Sequence, residues 1–235
     1  AVIEMAACAG LPLVENRPNP EMTTTYGVGQ LMLDAVEHGC KKIVVGLGGS
    51  CTNDAGAGAA AAVGVEFFDK DGEKLVPTGG TLGKVAKISM ENMDERIKSA
   101  QIITMCDIDN PMYGKSGAAY IFGPQKGADD EMVQRLDANL RKFAERIQTE
   151  IGRDISDILG GGAAGALGAG MVAFFDSKLQ MGIETVLDIV KFDELIQGAD
   201  LIFTGEGKMD SQSLRGKVVI GVGKRDKRQD DPVVD

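Results

Sequence analysis

The stretch IVVGLGGSCTNDAGAGAAAAV, residues 43–63, decides the fold class of this chain. Residues 43–45 form a short apolar run that is typical of a buried strand, and three glycines around one leucine follow it. After a cluster of small polar residues, a run of glycine and alanine predicts a helix from about residue 54 to residue 63. A strand that leads through a glycine turn into a helix is the repeating unit of an α/β fold.

The same stretch contains the first candidate site. A glycine turn at a helix start brings backbone N–H groups close to a ligand, and the helix dipole favours an anion there. Asp54 is unusual in this position, because a carboxylate repels an anion unless a metal ion lies between them or the carboxylate accepts a proton from a hydroxyl group. The combination of glycine amides and an acidic residue therefore indicates phosphate chemistry.

Composition argues against several classes of protein. The 235 residues carry a net charge of −10, with a pI near 4.7, which argues against nucleic acid or an anionic membrane surface as a partner. No apolar run approaches the roughly 18 residues that a membrane span needs. The four cysteines lack metal-ligand spacing, and the single histidine excludes a His-rich metal site. We therefore expect a cytoplasmic protein with reduced thiols.

Strand and helix patterns alternate along the chain, which predicts an α/β fold with a mostly parallel or mixed sheet. The predicted elements are a helix at 26–37, a strand at 43–47, a hairpin at 65–75 turned by Asp71 and Gly72, strands at 85–89 and 101–106, a long helix at 130–151, a strand at 199–204 and a helix start at 216–225. The chain opens within an apolar alternation and closes as a strand begins. We therefore expect a fragment of a longer polypeptide.

Four loops carry the residues that could do chemistry, and such loops gather at the carboxyl ends of strands in open α/β sheets. They are GLGGSCTNDAGAG (46–58), CDIDNPMYGKSGAAYIFGPQKGA (106–128), GGGAAGALGAG (160–170) and TGEGKMDSQSLRGK (204–217). The last loop combines acidic residues for a metal or a base with cations for phosphates, the parts that phosphoryl transfer requires. Each loop also has a structural explanation as a turn, a cap, a close helix contact or a solvated segment.

These four segments resemble the signature segments of the type I glycerate kinases. The stretches AVIEMAACAGL and RPNPEMTTTYGVGQL fit the same family, and the resemblance runs in order from Ala1 to about Lys224. It implies an enzyme that transfers the γ-phosphoryl group of ATP to D-glycerate, giving 2-phosphoglycerate, with Mg²⁺. It also implies a flavodoxin-like (Rossmann-like) domain that carries an inserted α/β domain. Residues 1–197 would be mostly the inserted domain, and residues 198–235 the truncated start of the re-entering flavodoxin-like domain.

The resemblance and the residue types together give each candidate a role. The predicted catalytic residues are Asp210, Glu206 and Asp54, and the first two are also the candidate Mg²⁺ ligands. The predicted substrate-binding residues are Ser50, Asn53, Asp107 and Asn110. The predicted phosphate-binding and nucleotide-binding residues are Gly48, Gly49, Lys126, Gly161, Gly162, Gly205 and Lys217. The sequence does not choose among Asp54, Asp107 and Asp210 as the base, and it leaves a homo-oligomer open.

Two other functions remain as alternatives. One is a dehydrogenase or hydrolase on a related α/β fold, against which the missing dinucleotide fingerprint and the single histidine count. The other is a non-catalytic or decayed metabolite-binding fragment that keeps the loops without a nucleotide domain.

Overall fold

A computed structural model of the chain describes residues 1–205, 218–226 and 233–234. The chain divides into two compact units, Ala1–Leu179 and Gln180–Asp235. The predicted domain boundary follows residue 197, so the compact units divide earlier in the chain than the predicted domains. The assignment of residues 198–235 to a flavodoxin-like domain stays a prediction.

The first unit alternates strands and helices, as the sequence predicts. Its strands are β1 (Val2–Glu4), β2 (Lys42–Gly46), β3 (Glu66–Phe68), β4 (Lys74–Leu75), β5 (Lys87–Ser89), β6 (Gln101–Met105) and β7 (Lys178–Gln180), whose last residue begins the second unit. Its helices are α1 (Ala6–Ala9), α2 (Tyr26–Glu37), α3 (Ala57–Ala62), α4 (Glu95–Ser99), α5 (Ala118–Phe122), α6 (Asp130–Ile151) and α7 (Ala163–Phe175). Short 3-10 turns occupy Leu11–Val14, Leu82–Lys84 and Pro124–Lys126.

The main sheet has the strand order β1-β2-β6-β7. Strand β2 pairs in parallel with both β1 and β6, with Val44 opposite Val2 and Ile43 opposite Ile102. Neighbouring residues of β2 are buried although they point to opposite faces of the sheet. Burial on both faces is the reason why a strand of a parallel sheet reads as a continuous apolar run.

A second, three-stranded sheet has the order β4-β3-β5 and is antiparallel throughout. The turn between β3 and β4 contains Gly72 at φ +82°, a conformation that glycine adopts without steric cost. The predicted hairpin at 65–75 is confirmed.

Helix α6 has the bounds that its apolar periodicity predicts. The side chain of Asp129 caps its N-terminus by accepting a hydrogen bond from the Met132 N–H at 2.8 Å. Its apolar stripe packs into the core, where the rings of Phe67, Phe143 and Phe174 lie 5.8 to 6.3 Å apart. Burial of such side chains contributes about 1.5–3 kcal/mol each to folding.

Helix α3 begins later than predicted, at Ala57 rather than near Asp54. The delay has a local cause, because Ala55 and Gly56 have positive φ values of +51° and +73° and so cannot belong to a right-handed helix. The predicted loop at 160–170 overlaps the first part of α7, but Ala164, Gly165 and Ala166 have left-handed backbone angles, so a regular right-handed helix continues only after residue 166.

The second unit contains α8 (Gly182–Ile189), α9 (Phe192–Leu195), β8 (Ile202–Phe203), α10 (Val218–Asp226) and β9 (Val233–Val234). Strands β8 and β9 pair in parallel. The guanidinium of Arg225, on α10, contacts the carboxylates of Glu184 on α8 at 2.8 Å and Asp193 on α9 at 3.0 Å. These ion pairs hold α8, α9 and α10 together. Hydrogen bonds from the guanidinium to Asp188 and Glu184, both on α8, raise the pKa of Arg225 above its usual value.

Candidate functional site

The site of the first unit lies where β2 and β6 end. Since these strands are parallel neighbours, the loops that follow them leave the same edge of the sheet. The loop after β2 holds Gly48, Gly49 and Ser50, and the loop after β6 holds Asp107. Ligands of open α/β sheets bind at this edge.

The two loops line a cavity of about 270 Å³. Its walls are residues 47–50, 105–108, 125–126 and 163–164, together with Leu11 and Phe122. Pockets for drug-sized ligands span roughly 300–1,000 Å³, so this volume suits a small metabolite. Among the wall residues, Gly48, Gly49 and Asp107 are exposed, whereas Ser50 and Lys126 are buried.

Lys126 is the unusual residue of the cavity, because its side chain is only 2% exposed. It lies at the end of the 3-10 turn Pro124–Lys126, and its Nζ donates hydrogen bonds to Ser50 Oγ and to the Thr52 carbonyl, each at 2.7 Å. Burial lowers the pKa of Lys126 to about 8, although the nearby Cys51 and Asp54 favour its charged form. Near neutral pH the cavity therefore holds a buried ammonium group.

Asp54 is fully buried, and it is not one of the residues that line the cavity. Its Oδ2 accepts hydrogen bonds from the Thr25 N–H at 2.7 Å, from Thr25 Oγ1 at 2.9 Å and from the Gly58 N–H at 3.2 Å. The Thr24 hydroxyl and the Gly56 N–H donate to the same carboxylate at 3.3 Å. Burial raises the pKa of Asp54, and the hydrogen bonds from Thr25, Gly56 and Gly58 oppose that rise. This geometry ties the loop after β2 to the start of α2.

Asn53 is also fully buried and does not line the cavity. Within the described ranges, neither its amide nitrogen nor its amide oxygen has a hydrogen-bond partner. Asn110, the other predicted amide, donates to the Ser116 carbonyl at 2.8 Å and so stabilises the loop after β6.

The glycine run at 160–170 reaches the cavity through Ala163 and Ala164 rather than through its first glycines. The N–H groups of Gly161 and Gly162 donate to the carbonyls of Ile158 and Asn110, each at 2.9 Å. These amides are engaged inside the protein, so the geometry does not offer them to a phosphate group. Ala164, Gly165 and Ala166 have φ values of +55°, +67° and +68°, three left-handed residues in succession beside the cavity.

Most of the predicted residues of the last loop fall outside the part of the chain that the structure describes. Glu206, Asp210 and Lys217 lie outside the described residues, and Gly205 is the exposed residue before that gap. Within residues 1–205, 218–226 and 233–234, no group of three His, Cys, Asp or Glu residues could hold a metal ion.

Sequence reasoning missed two polar residues of the cavity, Cys106 and Gln125. Both belong to the segment 106–128 that was singled out for its other residues. Gln125 lies within the turn that positions Lys126, and Cys106 directly follows β6. Because Cys106 follows the end of a buried strand, its position in the sequence could have predicted that it lines the site. Burial raises the pKa of its thiol, which favours the neutral form.

Comparison with known proteins agrees with this architecture. The sequence model of the Glycerate kinase family matches residues 1–235. The chain is 47% identical to a glycerate kinase of Halalkalibacterium halodurans and 43% identical to the glycerate 2-kinase of Escherichia coli, each over 235 residues. Each match covers 100% of the chain and 62% of the relative.

A crystal structure from Salmonella typhimurium LT2, of a protein assigned as a glycerate kinase 2, superposes with a TM-score of 0.91 at 42% identity. The match covers 99% of this chain and 62% of that one. The chain thus belongs to the glycerate kinase family, and it spans 62% of the length of these relatives. The predicted α/β fold with a parallel sheet is confirmed. Among the described helices, none is long and apolar enough to cross a membrane.

Proposed function

We propose that this chain forms part of an enzyme that transfers the γ-phosphoryl group of ATP to D-glycerate, giving 2-phosphoglycerate in the cytoplasm. The observation that carries the proposal is the convergence of five predicted site residues on one cavity. They are Gly48, Gly49, Ser50, Asp107 and Lys126. The cavity has the volume for a small hydroxy acid, and the chain matches the family along its whole length.

The residues of the cavity suit an acceptor with an anionic end and hydroxyl groups. The Asp107 carboxylate can accept a hydrogen bond from a substrate hydroxyl group. The fixed loops after β2 and β6 would hold that hydroxyl group in one orientation, which is the larger part of catalysis when the protein does little covalent chemistry. Asp54 and Asn53 then act in the architecture of the loop rather than on the substrate.

Most of the residues that we propose to bind ATP and Mg²⁺ lie outside the described ranges. Glu206 and Asp210 are the proposed Mg²⁺ ligands, with Asp210 also proposed to take the hydroxyl proton. Lys217 and Gly205 are proposed to contact phosphates. When bound, Mg²⁺ would neutralise charge on the phosphoryl oxygens of ATP.

The direct test is an assay for ATP-dependent phosphorylation of D-glycerate, with the product identified by ³¹P NMR. We would assay the purified chain and also a chimaera in which this sequence replaces the matching segment of the Escherichia coli relative. We expect 2-phosphoglycerate from the chimaera. A chimaera that folds and binds D-glycerate but transfers no phosphoryl group would contradict the proposal.

Asp210→Asn in the same chimaera tests the proposed base. Removal of a general base lowers kcat by roughly 100-fold or more. A nearly normal kcat would remove Asp210 from that role and favour Asp107, the acidic residue among the described residues that line the cavity.

A further inference from the structure

Lys126 is a buried cation that forms no ion pair with any of the residues described by the structure. The salt bridges of the described residues include none to its Nζ, although lysine is almost never fully buried without a partner. Burying an ammonium group without an anion is costly, because the interior solvates charge poorly. The position of Lys126 in the wall of an open cavity offers an explanation, since an anionic ligand could supply the missing charge.

The neighbouring carboxylate does not fill that place. Asp54 is close enough to favour the charged form of Lys126, but its oxygens accept their hydrogen bonds from Thr25, Gly56 and Gly58. Its charge is therefore used to fix the loop. Cys51, the other group that favours the ammonium, has a pKa raised by burial and is neutral near pH 7.

Two donors remain for a ligand at this point of the cavity. An ammonium group has three N–H donors, and within the described part of the chain two of them are directed to Ser50 Oγ and the Thr52 carbonyl. Ser50 Oγ accepts from Lys126, so its own O–H is left to donate, and a donor that is polarised by a cation binds an anion more strongly. Both side chains line the cavity.

The rest of the cavity limits which anion fits. Asp107, also in the wall, repels a second negative charge, so a ligand with one anionic end and a hydroxylated remainder suits the site better than a polyanion. Gly48, Gly49, Ala163 and Ala164 give the cavity walls without large side chains. The volume of about 270 Å³ is still below the usual range for drug-sized ligands, so the ligand is a small molecule.

We propose that Lys126 and Ser50 together recognise the carboxylate of a small hydroxy acid, and so make the cavity selective for the acid over the neutral polyol. This inference rests on the proposed function, because it takes D-glycerate as the acceptor. It changes the role predicted for Lys126 from binding a nucleotide phosphate to binding the acceptor.

Isothermal titration of the purified chain with sodium D-glycerate, and separately with glycerol, tests the inference at pH 7. We expect the chain to bind D-glycerate at least about 30-fold more tightly than glycerol, as loss of a charge-assisted contact implies. In Lys126→Met, the affinity for D-glycerate should fall by at least about 30-fold, and the preference over glycerol should shrink to within about threefold. Ser50→Ala should lower the affinity of the chain for D-glycerate by about tenfold.

Lys70→Met is the matched control, because it removes the same charge from the exposed turn between β3 and β4. It should leave the affinity for D-glycerate within about twofold. Methionine has nearly the shape of lysine, and a thermal melt followed by circular dichroism verifies that each variant folds.

Three results would overturn the inference. The first is a folded wild-type chain that does not bind D-glycerate. The second is a Lys126→Met chain that keeps its affinity for D-glycerate and its preference for D-glycerate over glycerol. The third is a Lys126→Met chain that loses binding of Mg-ATP but keeps binding of D-glycerate. The proposed function fails separately. If D-glycerate binds through Lys126 but the chimaera never phosphorylates it, the carboxylate site stands and the kinase proposal falls.

Discussion

Lys126 and Asp54 are both buried charged residues of the first unit, but their surroundings differ. The Asp54 carboxylate has donors from two segments of the chain, whereas the Lys126 ammonium has a hydroxyl oxygen and a carbonyl oxygen as acceptors and lines a cavity. A charge that is satisfied inside the protein stabilises the fold. A charge that is left for a ligand lowers stability in exchange for binding, which is common at functional sites.

The first residue-scale prediction concerns the pH dependence of stability. The pKa of Lys126 is lowered from 10.5 to about 8 by burial, so the unfolded chain binds the proton more tightly than the folded chain. The cost of the buried charge is therefore fully present below pH 8, and it disappears as pH rises from about 8 towards 10.5. Relative to Lys126→Met, the free energy of unfolding of the wild type should rise by up to about 3 kcal/mol over this range.

Urea unfolding of both proteins at several pH values measures this difference. A difference that stays constant between pH 7 and pH 10.5 would mean that Lys126 is hydrated in the folded protein. Groups that titrate without interacting with Lys126, such as Cys106, are present in both proteins and cancel, whereas Cys51 does not, because the charge of Lys126 lowers its pKa.

The second residue-scale prediction concerns Asp54. Asp54→Ala leaves the buried N–H groups of Thr25, Gly56 and Gly58 without their acceptor, so we expect a loss of about 2–4 kcal/mol in the free energy of unfolding. Asp71→Ala, at the exposed turn of the hairpin, is the control and should change stability by no more than about 0.5 kcal/mol. Equal denaturation midpoints for the two variants would contradict the structural role of Asp54.

At the scale of elements, the left-handed turn at residues 164–166 fits against the loop after β2. A Cβ on Gly165 would collide with the carbonyl oxygen of Thr52, the same oxygen that accepts a hydrogen bond from Lys126. The Ala55 N–H also donates to the Gly165 carbonyl at 3.1 Å. The turn therefore sets the position of one of the two acceptors of Lys126.

Gly165→Ala should lower the free energy of unfolding by about 2 kcal/mol or more, because the added methyl group meets backbone and the φ value is positive. Gly46→Ala is the control, since a Cβ there would have ordinary contacts with the side chains of Met105 and Glu4. Thermal unfolding of the two variants makes the comparison, and a Gly165→Ala protein as stable as Gly46→Ala would show that the turn can move.

The elements also show what the sequence could predict. Helix α6 followed from its apolar spacing, which is a local signal, and the structure adds the cap at Asp129 and Gly152 at its end. The late start of α3 did not follow, because alanine at a positive φ, as at Ala55, has no sequence signature.

Some features of the candidate site were likewise predictable from the sequence, and others were not. The meeting of the loops after β2 and β6 was predictable from strand order, since parallel strands place their carboxyl ends together. The contact of Lys126 with Ser50 joins residues 76 positions apart, and the contacts of Asp54 with Thr25 join residues 29 positions apart. Because such pairings depend on tertiary packing, the predictions of Asp54 as a catalytic residue and of Lys126 as a phosphate-binding residue could not take these contacts into account.

At the scale of the whole molecule, the cavity and all its walls belong to the unit Ala1–Leu179. The proposed acceptor site thus lies within this unit, although the chain spans 62% of the length of its relatives. The nucleotide residues proposed at 205–217 fall in the other unit. We therefore expect D-glycerate binding to require the first unit alone.

A crystal structure of the chain with D-glycerate tests the central claim most directly. The account predicts electron density for the ligand in the cavity, with a carboxylate oxygen about 3 Å from Ser50 Oγ and a hydroxyl group towards Asp107. Density outside the cavity, or a carboxylate bound away from Lys126 and Ser50, would contradict it.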